Sequence, residues 1–118
     1  MKKIIKCKDT EFTIYVEDTD FQGVVYHANY LKYFERSRSE FLFDSGISQR
    51  DLRDENSAFV IKSIKINFIS AAQLGDQITV QSNVEKKSNA RMIFYQKIVD
   101  KISGNEFVNG QVEVCYIN

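Results

Sequence analysis

The sequence predicts a single α+β domain in which one long helix is covered by a twisted antiparallel sheet. Three observations carry this. Alternating apolar residues mark a strand near the amino terminus, a stretch of helical spacing follows, and strand patterns joined by turns run from Phe59 to the end. The length of 118 residues suits one hydrophobic core rather than two, so residues 1–118 are expected to form one domain.

In the first strand, Phe12, Ile14 and Val16 alternate with Glu11, Thr13 and Tyr15. Glu17 to Gly23 is polar and ends in glycine, which predicts a loop turning at Gly23. From Ala28 to Ser45 the period changes. Tyr30, Leu31, Phe34, Phe41 and Leu42 share one helical face, and Lys32, Glu35, Arg36, Ser39 and Glu40 fill the other. Ser37 falls within the apolar stripe, where a small side chain lets the helix approach its partner, and Gly46 stands where helices often stop. Gln49 to Asn56 is charged, with room for a helical turn. Strands are then predicted at Phe59 to Ile69, Gln77 to Glu85, Arg91 to Val99 and Glu106 to Ile117. Turns at Leu74-Gly75-Asp76, Ser88-Asn89 and Ser103-Gly104-Asn105 separate them and favour antiparallel pairing. Gly110 shares the apolar face of the last strand and signals a bend or a close approach. The chain contains no proline, so no strand edge is blunted by one, and pairing with another subunit, at least as a dimer, is expected.

Composition excludes several classes of function. Sixteen Lys and Arg offset sixteen Asp and Glu, which leaves no global field to draw the chain to nucleic acid or anionic membrane. A single histidine, His27, and two cysteines, Cys7 and Cys115, are too few for a zinc site, so no metal is expected. The cysteines read as free thiols of a cytoplasmic protein, although a Cys7–Cys115 disulfide is geometrically conceivable. Lys6, Lys8 and Asp9 interrupt any signal-peptide core, and no stretch approaches the roughly 20 apolar residues a membrane helix requires. No membrane insertion is expected.

Reactive groups concentrate between Glu17 and Asn29, where Glu17, Asp18, Asp20 and His27 precede the helix. A helix starting near His27 or Ala28 presents unpaired N–H groups and a partial positive charge, which suit an oxyanion or a polarised carbonyl. A carboxylate returned by the turn at Gly23 can reach the same volume. Together they supply a nucleophile or base and an electrophilic hole, the requirements for attack on an acyl carbon. The same pattern also fits helix capping by an acidic loop and a hydrogen-bonded structural histidine, and spacing alone does not decide.

The continuous block from Val16 to Arg36, Val-Glu-Asp-Thr-Asp-Phe-Gln-Gly-Val-Val-Tyr-His-Ala-Asn-Tyr-Leu-Lys-Tyr-Phe-Glu-Arg, resembles the signature of the hotdog-fold acyl-CoA thioesterases. It is most similar to their 4-hydroxybenzoyl-CoA thioesterase-like branch, and within it to the bacterial acyl-CoA thioester hydrolases associated with the Tol-Pal system. Phe59 to Gly75 and Gly110 to Tyr116 resemble later strands of that family. The resemblance implies the hotdog fold, a homodimer or homotetramer, and hydrolysis of an acyl-CoA thioester to CoA and a carboxylic acid. Coenzyme A is then part of the substrate, no separate cofactor is needed, and acyl carrier protein remains open as an alternative carrier.

Carried onto this chain, the family's carboxylate falls on Asp20, as nucleophile or as general base on water. The carbonyl-polarising amide falls on His27. Gly23 serves the turn, Tyr26 lines the acyl pocket and Asn29 holds the loop against the helix. Valine stands at position 16 where relatives carry a second tyrosine, and by strand alternation Tyr15 would face away. For the CoA phosphates, Lys86, Lys87 and Arg91 flank one turn, with solvated surface lysines as the alternative. Two other functions fit the fold: an enoyl-thioester hydratase or dehydratase, and a non-catalytic acyl-CoA-binding or scaffold module.

Overall fold

The computed structural model describes residues 3–118. Among them the order is β1 (Ile4–Lys6), β2 (Thr10–Thr13), a 3-10 turn (Val16–Asp18), α1 (Asn29–Asp44), α2 (Gln49–Asp54), β3 (Ala58–Phe68), β4 (Gln77–Ser88), β5 (Arg91–Asp100) and β6 (Glu106–Ile117). All pairings are antiparallel, in the order β1-β4-β5-β6-β3, and β2 continues along the edge of β4 that β1 begins. Cys7 N–H donates to Ser82 O at 2.9 Å between them, so β1 and β2 are one interrupted edge strand.

The long helix lies on the concave face of this sheet, which is the hotdog arrangement. Tyr30, Tyr33, Phe34, Ser37 and Leu42 are buried on α1, against Ile78, Val80, Val84, Phe94, Ile98, Val108 and Val112 from the sheet. Each large apolar side chain so buried contributes roughly 1.5–3 kcal/mol, which makes this interface the dominant source of stability. Its closest point is Gly110. A Cβ there would lie 2.5 Å from the Lys65 carbonyl oxygen, which only glycine permits, and at ordinary contact distance, 3.4 Å, from the Phe34 ring.

A polar seam crosses the same interface. Gln96 Nε2 donates to Phe34 O at 3.1 Å and to Ser82 Oγ at 3.0 Å, and Gln96 Oε1 accepts from Arg38 Nη1 at 3.0 Å. The Ser37 and Ser82 hydroxyls meet at 3.3 Å. Ser37 therefore supplies both the small volume read from sequence and a hydrogen bond.

Several expectations need correction. The first strand ends at Thr13, and Val16 opens a 3-10 turn with its side chain exposed, so alternation no longer sets the direction of Tyr15. The short strand Ile4–Lys6 adds a sixth member to the sheet. The chain does not turn back from β3 into β4; it crosses to the other side of the sheet, and β3 pairs with β6. Arg38, a residue type that ordinarily stays in water, is buried.

Gly110→Ala should destabilise the fold by about 1–3 kcal/mol, because the Lys65 carbonyl is backbone of a paired strand and cannot swing aside. Denaturant unfolding checks this, and an unchanged midpoint would contradict the close approach.

Candidate functional site

The segment from Asp18 to Tyr26 folds as a narrow antiparallel ribbon. Thr19 bridges Val25, Asp20 N–H donates to Val24 O at 2.9 Å, and Tyr26 N–H donates to Asp18 O at 3.0 Å. Gly23 closes the turn with φ +80°, a left-handed conformation that favours glycine. The ribbon is clamped to the segment before β4: Val25 N–H donates to Ala72 O at 2.8 Å and Leu74 N–H to Gly23 O at 3.0 Å. Ala72 N–H in turn donates to the Tyr30 hydroxyl at 3.0 Å, which ties the first turn of α1 to the same segment.

The two aspartates in this ribbon have different surroundings. Asp18 is 4% exposed. Its Oδ2 accepts Tyr15 N–H at 2.8 Å, its carbonyl accepts Asn29 Nδ2 at 2.9 Å, and Lys32 Nζ stands 3.9 Å from Oδ1. Burial, and then the Asp18 carboxylate, push the Tyr33 hydroxyl well above its usual pKa and keep it protonated, although it makes no hydrogen bond of normal geometry among the described residues. Asp20 is half-buried and holds only its own turn, with Oδ1 accepting Gln22 N–H at 2.9 Å. Asp18 is a structural anchor. Among the described residues no cation or buried donor is committed to Asp20, which leaves its carboxylate available to a ligand.

The helix start has matching openness. Asn29 N–H is spent on Tyr26 O at 2.8 Å, and Tyr30 and Leu31 make long bonds of 3.4 and 3.3 Å to His27 and Ala28. The amides of His27 and Ala28 have no acceptor among the described residues and lie at the positive end of the α1 dipole. The imidazole is exposed, packed against Tyr26 at 4.6 Å between centroids and edge-on to Phe68 at 6.1 Å. A half-exposed carboxylate and free amides at a helix start can serve a reaction in which negative charge develops on a carbonyl oxygen.

Asp20, Gly23, Tyr26, His27 and Asn29 thus share one end of the molecule. Lys86, Lys87 and Arg91 do not. They surround the β4–β5 turn, nine or more residues from the start of β4, a separation of about 30 Å along the strand. Lys87 Nζ lies 3.3 Å from Glu85 Oε1, and Arg91 is paired with Glu113. Sequence reasoning counted Asp18 among the reactive groups, with capping by the acidic loop as the alternative; the 3-10 turn that buries it and makes it an anchor is not a pattern of period. No cluster suited to a metal ion occurs among the described residues.

Comparison with known proteins follows the same outline. Residues 14–118 match the model of the thioesterase-like superfamily. The acyl-CoA thioesterase YbgC of Helicobacter pylori is 42% identical over 85 residues, covering 72% of this chain and 62% of that protein, so the match falls short of two thirds of the relative's length. Among solved structures, a probable thioesterase from Bartonella henselae aligns with a TM-score of 0.82 at 38% identity, over 96% of this chain and 91% of that one. Slr0204, a 1,4-dihydroxy-2-naphthoyl-CoA thioesterase from Synechocystis, shares the fold with a TM-score of 0.89 at 22% identity, over 98% and 82% of the two chains. With the family model matched from Ile14 to the last residue, the chain belongs to the thioesterase-like superfamily.

Proposed function

We propose that residues 1–118 act as one catalytic unit that hydrolyses an acyl-CoA thioester to coenzyme A and a carboxylic acid. Two observations carry this: the Asp20 carboxylate, in the ribbon that leads into α1, holds only its own turn, and the amides of His27 and Ala28 at the start of that helix have no acceptor among the described residues. Activities named for relatives, such as that of the Helicobacter protein, support it.

In this reading the thioester carbonyl oxygen accepts from the His27 amide, which stabilises the charge that develops on attack. Asp20 either attacks the carbonyl carbon or removes a proton from water that does. Sulfur leaves with the CoA, and where a mixed anhydride forms on Asp20, water cleaves it to regenerate the carboxylate. Tyr26, half exposed beside His27, borders the acyl group, while Gly23 and Asn29 keep the ribbon on the helix. The free thiols of Cys7 and Cys115 fit a reducing, cytoplasmic setting.

The same proposal includes a second copy of the chain. Among the described residues β3 pairs with β6 on one side only, and Ile64 is exposed beside its open edge. An unpaired edge with apolar side chains is suited to antiparallel pairing with itself. A neighbouring copy is also the way Lys86, Lys87 and Arg91 would approach a CoA tail, given their distance from Asp20 in their own chain. Acyl carrier protein stays open as a carrier.

Asp20→Asn should lower thiol release from acyl-CoA by about 10²–10⁴-fold with little change in stability. Asp18→Ala should instead lose about 1.5–3 kcal/mol of stability, because it strips a buried charged acceptor from the Tyr15 amide. Equal turnover by wild type and Asp20→Asn would remove Asp20 from the mechanism. Ile64→Lys should shift sedimentation toward the monomer; an unaltered oligomer would place the contact elsewhere.

A further inference from the structure

One charged side chain of α1 enters the core. Arg38 is 6% exposed, and among the described residues its guanidinium makes a single hydrogen bond, to Gln96 Oε1, and no ion pair. Gln96 cannot turn away, because its Nε2 is held by Phe34 O and Ser82 Oγ. Glu35, one turn earlier, is exposed and accepts Ser39 Oγ at 2.8 Å; its field partly offsets the desolvation that weakens the charged form of Arg38. A guanidinium has five N–H donors. Arg38 also lines a cavity of about 140 Å³, with Glu35, Ser39 and Gln49 on its polar side and apolar walls that include Phe59, Ile61 and Phe94.

A buried cation with one hydrogen-bond partner is costly unless something else completes its hydrogen bonds. At about 30 Å³ per water, the space holds four or five waters, or a carboxylate with a few methylene groups. The cavity is also in line with the proposed site. Phe68 of β3 packs against Tyr30 at 6.0 Å and His27 at 6.1 Å, and further along the same strand Ile61 and Phe59 reach the cavity. β3 thus lies beside α1 both at the helix start and at Arg38. The nine residues from Asn29 to Arg38 span about 14 Å, the reach of an acyl chain of about twelve carbons.

We propose that this cavity receives the distal end of the acyl group and that Arg38 selects acyl groups whose distal end bears a carboxylate. The planar fork suits a carboxylate better than a lone hydroxyl, since it can make two parallel bonds to it. The inference rests on the thioesterase reading for its link to turnover, and on the cavity alone for binding.

The test compares dodecanedioyl-CoA, joined through one carboxyl, with dodecanoyl-CoA in thiol release, and free dodecanedioate with dodecanoate in calorimetry. Wild type should favour the diacid in kcat/KM by about tenfold or more. Arg38→Met should erase that preference while dodecanoyl-CoA turnover persists, and Arg38→Lys, which keeps charge without the fork, should retain part of it. Ile61→Phe, which narrows the cavity without touching Arg38, should also reduce the preference, and serves if Arg38→Met does not fold. Equal wild-type turnover of the two esters, or an equal loss on both in Arg38→Met, would overturn the proposal and leave the hydrolase reading intact. No thiol from any ester would sink the hydrolase reading, and calorimetry then decides the cavity: tighter binding of dodecanedioate that Arg38→Met abolishes supports it, and indifference to the second carboxylate rejects it.

Discussion

The structure depends on how closely α1 can settle into the concave sheet. Phe34 is fully buried over Gly110, and the buried aromatic and aliphatic side chains on both faces set the helix-to-sheet distance. An added Cβ would clash with the Lys65 carbonyl while only touching the ring, so this glycine fixes the spacing of β6 to β3 beneath the helix. Apolar burial supplies the energy of this contact without direction. Direction comes from hydrogen bonds.

At the amino end of α1, direction is set by Asp18, a buried carboxylate that takes the Tyr15 amide, with its own carbonyl taking Tyr26 N–H and the Asn29 side chain. These bonds fix where the ribbon leaves the sheet and where the helix starts. Asp20, two residues on, inherits a defined position without sharing the load, because the ribbon is clamped by backbone bonds to Ala72 and Leu74. A carboxylate held by its neighbours' bonds, rather than by its own, keeps lone pairs for other chemistry. The division of roles explains why two aspartates so close in sequence have such different exposure.

Much of this was legible in the sequence, for physical reasons that also mark the limit. The α1 stripe repeats at helical spacing over four turns, enough to locate its ends within a residue, and the strands from β3 to β6 alternate long enough to be unambiguous. Ile4–Lys6 is too short for a period and lies next to three lysines, so nothing in its pattern distinguishes it from a tail. The crossing from β3 to β4 was hidden because a turn signal at Leu74-Gly75-Asp76 looks the same whether the next strand pairs with the last one or passes it. The site block was legible through family likeness more than through spacing, which left capping open. Arg38 was invisible, since arginine at helical spacing reads as a solvated face and only the fold shows what stands opposite.

The seam around Gln96 connects these levels. A helix packed on a sheet by apolar contact alone can rotate or slide by part of a turn at small cost, because many side-chain arrangements bury similar area. Gln96 removes that freedom: sliding α1 would break its bond to Phe34 O, and both the carbonyl and the amide belong to buried residues where water cannot replace the lost partner. Phe34 meets the seam through its carbonyl and Ser37 through the Ser82 hydroxyl, so the seam fixes both the rotation and the axial position of the helix. The free amides at His27 and Ala28 lie on the other end of the same rigid rod. Their placement relative to Asp20 is therefore set twice, locally by the Asp18 anchor and remotely by the seam, and a site that must hold a carbonyl oxygen within hydrogen-bond distance gains from that redundancy.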